Sequence, residues 1–139
     1  MTEPSEDRFI LLNRFIKHAD IAAIRNELES GVSVNLENKH GWNLLMLAAI
    51  QGNVAIGELL ISRGANTNRV SSQGTSAVSL AAIGGHVRFL KLLLGHGADP
   101  DCKLNGISIN KWIPGCQFGP KKEAAIVGLL REYRPRILD

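Results

Sequence analysis

The chain has 139 residues, enough for one domain, with 45% apolar and only 5% aromatic residues. No apolar run approaches the ~20 residues that cross a bilayer, and the opening Met1-Thr-Glu-Pro-Ser-Glu-Asp7 lacks the basic and apolar regions of a secretory leader. A soluble, cytoplasmic protein is therefore expected, with Cys102 and Cys116 as free thiols.

The net charge of +3 is unevenly spread. Residues 1–37 hold four bases against seven acids (−3), and residues 103–139 hold seven bases against three acids (+4). Such an asymmetry bears on partners rather than on fold.

In chain order, residues 8–17 read as a helix, with Ser5 or Asp7 as cap and Glu6 and Asp7 near its positive end. Residues 1–4 are expected to be disordered. From Asp20 onward a phrase recurs. Gly31, Gly64 and Gly97 stand 33 residues apart, and Gly41 returns as Gly74, Leu47-Ala-Ala as Leu80-Ala-Ala, and Gly52-Asn53 as Gly85-His86. A fixed period of this size marks a stacked repeat array.

Each unit predicts a turn followed by two short helices. In the second unit, helix one covers about 43–51 with Asn43 as N-cap, and helix two about 54–63, stopped by Gly64. The third unit copies it, with Ser76 as cap, helices over about 77–84 and 87–96, and Gly97 as stop. Helices of this length are unstable alone. They hold only if Leu45, Leu47, Ala48, Ile56, Leu59 and Leu60 meet Val78, Leu80, Ala81, Phe89, Leu92 and Leu93 of the next unit.

The fourth unit is irregular. Gly106 comes one residue early for the step from Gly74. A helix could begin over 107–113, but Pro114, Gly115, Gly119 and Pro120 interrupt it, which predicts an enlarged loop at 113–120. A helical pattern resumes over 121–133, read as arriving about four residues late.

Gly41-Trp-Asn-Leu-Leu-Met-Leu-Ala-Ala-Ile-Gln-Gly-Asn53 with 56–68, and Gly74-Thr-Ser-Ala-Val-Ser-Leu-Ala-Ala-Ile-Gly-Gly-His86 with 89–101, resemble the ankyrin-repeat family. Asp20 to Asn35 resembles the second half of an earlier repeat. The resemblance covers about 8–103 well and the remainder loosely. It implies an all-α ankyrin-repeat solenoid of stacked helix-turn-helix units with turn tips along one edge. Residues 1–139 then form a single domain, with an N-terminal capping repeat at about 5–37, repeats at 38–70 and 71–103, and an irregular C-terminal capping repeat at 104–139.

Two departures from the family stand out. The family's Thr-Pro-Leu-His is Asn43-Leu-Leu-Met46 and Ser76-Ala-Val-Ser79 here. Asn43 and Ser76 keep the cap but the histidine partner is gone, which predicts an array less stable than a consensus one. Gly57 sits inside helix two, where glycine costs about 1 kcal/mol against alanine. It either admits a close backbone approach or is a weak point.

Enzyme motifs are absent, so neither catalysis nor a cofactor is expected. His18, His40, His86, His96 and the two cysteines lack the paired short spacings of a zinc site. His86 occupies the family's Gly-His turn, which implies a bond to loop backbone, and Asp99 and Asp101 fall in its Ala-Asp-x-Asn loop, which implies the same. Lys121-Lys122 and the bases of 131–136 come with no reading module, so they read as a solvated helix face rather than a nucleic-acid site.

The resemblance implies a non-enzymatic module that binds a protein on the concave surface of turn tips and helix one. Carried over position by position, that surface comprises Lys39, His40, Trp42, Ile50 and Gln51, then Ser72, Gln73, Thr75 and Ile83, with Asn105 and Ile107 as an extension. Trp42 reads as an exposed anchor; the alternative is packing over neighbouring turns. Trp112 reads as a plug of the last unit. The basic end points to an acidic partner, unless the charge is only the solvated outer face of a cap. No nucleic acid and no membrane is expected as partner, and the free chain is expected to be a monomer. Two other roles fit: a stoichiometric inhibitor or immunity-type protein that neutralises a toxin enzyme, and a permanent scaffold subunit of a complex.

Overall fold

A computed structural model describes residues 4–133, as four stacked helix pairs. The pairs are α1 (Pro4–Lys17) with α2 (Ile21–Glu29), α3 (Leu44–Gln51) with α4 (Val54–Ser62), α5 (Ala77–Ile83) with α6 (Val87–Gly95), and α7 (Ile109–Trp112) with α8 (Pro120–Glu132). The first helices form one layer, α1 on α3 on α5 on α7, and the second helices form the other, α2 on α4 on α6 on α8. The core lies between the layers and between successive pairs. Leu44, Leu45, Ile56, Leu60, Phe89 and Leu93 are all fully buried in it.

The repeated local signals produce repeated local structure. Asn43 Oδ1 accepts the Met46 N–H at 2.9 Å and Asn53 Oδ1 accepts that of Ile56 at 3.1 Å, each capping a helix. Where the family's histidine is missing, Ser79 takes part of its role. It forms a capping box with Ser76, whose backbone N–H donates to Ser79 Oγ at 3.0 Å. Asn43 is also useful between units, donating from Nδ2 to the Asn66 carbonyl at 3.3 Å. The helices α2, α4 and α6 close in the same way: past α4, Gly64 N donates to Ile61 O and Ala65 N to Leu60 O, both at 3.0 Å, with Gly64 at φ 91°.

Four expectations are corrected. α1 starts at Pro4, so Ser5 and Asp7 lie inside its first turn instead of capping it, and the expected disorder does not extend to Pro4. Proline fits a first turn because its missing N–H has no helical partner there. Residues 1–3, and the bases Arg134 and Arg136, lie outside the described residues.

The last helix is not late. Val54, Val87 and Pro120 start α4, α6 and α8 on one 33-residue step. The unit loses one residue in its turn and regains it before α8. The span 113–120 is not an open loop: Ile113–Cys116 form a 3-10 turn with Ile113 fully buried. Phe118 lies against Gly85, where a Cβ would stand 2.9 Å from its ring.

Gly57 is resolved as a close approach. A Cβ built there would stand 2.6 Å from Phe89 Cε2 and 3.0 Å from Leu92 Cδ2. The ring of the next helix occupies the volume that a side chain would need.

Candidate partner-binding surface

Three turns project from the first-helix layer as short fingers. In the first, Glu37 bridges Asn43, Asn38 N donates to Trp42 O at 3.0 Å, and Gly41 N returns to Asn38 O at 3.0 Å. Asn38 Oδ1 stiffens the loop by accepting the N–H groups of His40 at 2.9 Å and Trp42 at 3.0 Å. In the second finger Ser71 N donates to Thr75 O at 2.8 Å, and Ser71 Oγ accepts from Gln73 and Thr75. The third finger is a true hairpin of β1 (Lys103–Leu104) and β2 (Ile107–Ser108), with Leu104 opposite Ile107.

The two residues between those strands, Asn105 and Gly106, have φ of 52° and 77°. Positive φ at both positions is what a two-residue type I′ hairpin turn requires. The earlier fingers use three residues closed by a glycine, 39–41 and 72–74, with Gly41 at φ 80° and Gly74 at φ 79°. That single-residue difference is why Gly106 comes early. Asn-Gly was the signal in the sequence that could have announced the hairpin.

Adjacent fingers are tied. Ser72 donates from both its backbone nitrogen and its hydroxyl to His40 O, each at 3.0 Å. Arg69 reaches back to Glu37 with Nη2 3.0 Å from Oε1 and Nε 2.5 Å from Oε2. Behind them, His86 Nε2 lies 3.0 Å from Ile50 O, in the last turn of α3, so its bond is to the neighbouring unit's helix rather than to the loop backbone expected. Asp99 Oδ1 accepts the Asp101 N–H at 2.9 Å, and Asn68 Oδ1 accepts that of Asp99 at 2.7 Å. The fingers are thus tied to one another and to the layer behind them.

Lys39, His40, Ser72 and Gln73 are exposed at the first two finger tips, and Asn105 and Ile107 on the hairpin. Ile50 and Gln51 are exposed at the end of α3, with half-buried Ile83 at the same place on α5. Two placements are corrected. Thr75 is only 6% exposed and belongs to the packed turn, so it offers no side chain to a partner. Trp42 is half-buried and packs on the core with part of its surface outward, rather than standing largely free. Trp112 packs into the last unit and donates from Nε1 to Leu104 O at 3.2 Å.

A feature that sequence reading missed lies between the second and third fingers. A cleft of about 560 Å³ opens there, walled by Val70, Val78 and Cys102 and rimmed by Asp99, Asp101 and Lys103. Burial pushes the Cys102 thiol up to about 11. Its hydrogen bond with the Ser76 side chain works against that shift, and the charges of Asp99 and Asp101 add to it. Among the described residues, no three His, Cys, Asp or Glu side chains gather around a possible metal position, and no helix is long and apolar enough to cross a membrane.

Residues 12–103 match a family model described as "Ankyrin repeats (3 copies)". Over 62 residues, 45% of the chain, the sequence is 34% identical to "Ankyrin repeat, SAM and basic leucine zipper domain-containing protein 1" of Atelerix albiventris and of Loxodonta africana. It is 36% identical over the same length to the protein of that name from Equus caballus. The aligned stretch spans 13% of the length of each of these relatives.

Proposed function

The chain belongs to the ankyrin-repeat family, and from that premise we propose that it is a non-enzymatic module whose finger tips and first-helix ends dock one partner protein. Residues 5–37 and 104–139 act as its capping repeats. The docking surface comprises Lys39, His40, Trp42, Ile50, Gln51, Ser72, Gln73, Ile83, Asn105 and Ile107. The observation that carries this reading is where the apolar surface is left over. Of the four large hydrophobic side chains exposed among the described residues (Ile10, Ile50, Val70 and Ile107), two lie on this surface, at 42% and 45% exposure. Exposed apolar side chains on a face with polar turn tips suit the centre and rim of an interface. Trp42, half-buried, supplies the aromatic anchor. The free thiols Cys102 and Cys116 fit a reducing compartment.

The test uses capture from a lysate of the native source by the wild-type chain, followed by affinity measurement on the captured protein. Ile50→Ser with Ile107→Ser should weaken binding by about 2 kcal/mol, roughly thirty-fold, at nearly unchanged melting temperature. Trp42→Ala should weaken it similarly but also lower the melting point, because the ring is half-buried. Normal binding by the double isoleucine variant would place the interface elsewhere.

A further inference from the structure

The space between the first and second fingers is filled by the chain's own arginine. Arg69 runs back beneath Gly41, where a Cβ would stand 3.0 Å from Nη2, and its guanidinium pairs with Glu37. One period later, Cys102 stands where Arg69 stood, Val70 where Glu37 stood, Ser76 where Asn43 stood, and Val78 where Leu45 stood. Each replacement is smaller than its counterpart, and the finger that forms the far wall is one residue shorter. Ser76 turns its hydroxyl onto Ser79, while Asn43 reaches across to Asn66. No atom lies within 4 Å of a Cβ built on Gly74, the counterpart of Gly41. The cleft of about 560 Å³ is what remains when the arginine and its supports are removed.

We propose that this cleft is a binding site for the guanidinium group of an arginine side chain presented by a partner protein, lying in the space that Arg69 occupies one repeat earlier but facing the rim carboxylates, because Val70 stands in the place of Glu37. A planar, weakly hydrated cation suits a cleft with apolar walls and carboxylates at its mouth. Val70 and Val78 are the walls, and Asp99 and Asp101 outnumber the one ammonium, Lys103, at the rim. Both carboxylates act on the thiol of Cys102, so their field reaches the interior of the cleft. An ammonium ion, more tightly hydrated, gains less there. The cleft shares no residue with the docking surface proposed above, and its test needs no partner, so either proposal can fail without the other.

The experiment titrates N-acetyl-arginine amide into the isotope-labelled full chain and follows backbone and methyl NMR shifts. Saturable changes are expected at Gly74, Ser76, Val78, Cys102 and Gly106, with a dissociation constant in the millimolar range for so small a probe. The neutral isostere N-acetyl-citrulline amide should bind about tenfold more weakly. Val70→Glu with Cys102→Arg rebuilds the internal ion pair and should abolish the shifts without lowering the melting temperature. If that variant does not fold, Asp99→Asn with Asp101→Asn decides instead. It keeps the side-chain shape and the turn bond of position 99, and should weaken the probe by several-fold. Absence of saturable shifts in the cleft, equal binding of citrulline and arginine, or undiminished binding by the carboxamide variant would each overturn the proposal.

Discussion

Gly57 shows how a residue's own preference can be the wrong guide. In isolation, Gly57→Ala should stabilise a helix by about 1 kcal/mol. Here the added methyl would meet the Phe89 ring at 2.6 Å, and that ring is fully buried. Forcing a methylene into a packed site costs about 1–3 kcal/mol, so the net change should be a loss of roughly 1 kcal/mol. Urea melts should show a lower midpoint at unchanged slope. On a Phe89→Leu background the same substitution should cost less or become favourable, because the obstructing ring is gone. A higher midpoint on the wild-type background would show that the ring yields.

Cys102 makes a second prediction at this scale. Its raised pKa, about 11, leaves almost no thiolate at neutral pH, so it should react with thiol reagents far more slowly than an ordinary cysteine. A folded pKa above the unfolded value favours the protonated folded state. That contribution is full below the unfolded pKa near 9.0 and is lost as pH rises towards 11. Cys102→Ala should therefore flatten the alkaline fall in stability, measured as urea midpoint between those limits. An unchanged slope would contradict it.

Among the described elements, the last helix packs on the end of the stack. Ile126 and Leu130 of α8 are almost fully buried, and α8 covers the outer side of α6. The first three helix pairs each find a neighbour, so stability accumulates from interface to interface. Removing residues 120–139 should uncover the outer side of α6, lower the melting temperature and cause aggregation. A truncated chain that stays monomeric and melts like the full one would show that α8 is not a cap. The register of α8 was legible in the sequence, since Val54, Val87 and Pro120 keep one step. The Pro and Gly residues before it obscure the count. The 3-10 turn at 113–116 was not legible, since nothing local shows that Ile113 finds a buried place.

Across the whole molecule, the charge is polarised along the stack, acidic at the first unit and basic at the last. Part of the basic end is already engaged: the Lys122 ammonium lies 5.9 Å over the Phe118 ring. Lys121→Glu with Lys122→Glu should slow association with an acidic partner and flatten its salt dependence, leaving dissociation nearly unchanged. Kinetics at two ionic strengths would show this. Loss of binding at all salt concentrations would make the basic cap the contact site itself.

What the sequence determined by itself was everything written within one repeat. The two short helices per unit, the caps at Asn43 and Ser76 and the stops at Gly64 and Gly97 follow from residues a few positions apart, and their recurrence gives the 33-residue step. The rest depends on atoms about one period away in the chain. Trp42 is half-buried and Thr75 buried, although they occupy positions that the family resemblance assigned to the surface. Arg69 finds Glu37, and Phe89 excludes a side chain at Gly57. The cleft exists because Cys102, Val70, Ser76 and Val78 are shorter than their counterparts one repeat earlier and the third finger has one residue fewer. Such outcomes turn on the volume and charge that one repeat presents to the next, and only stacking the repeats brings those groups together.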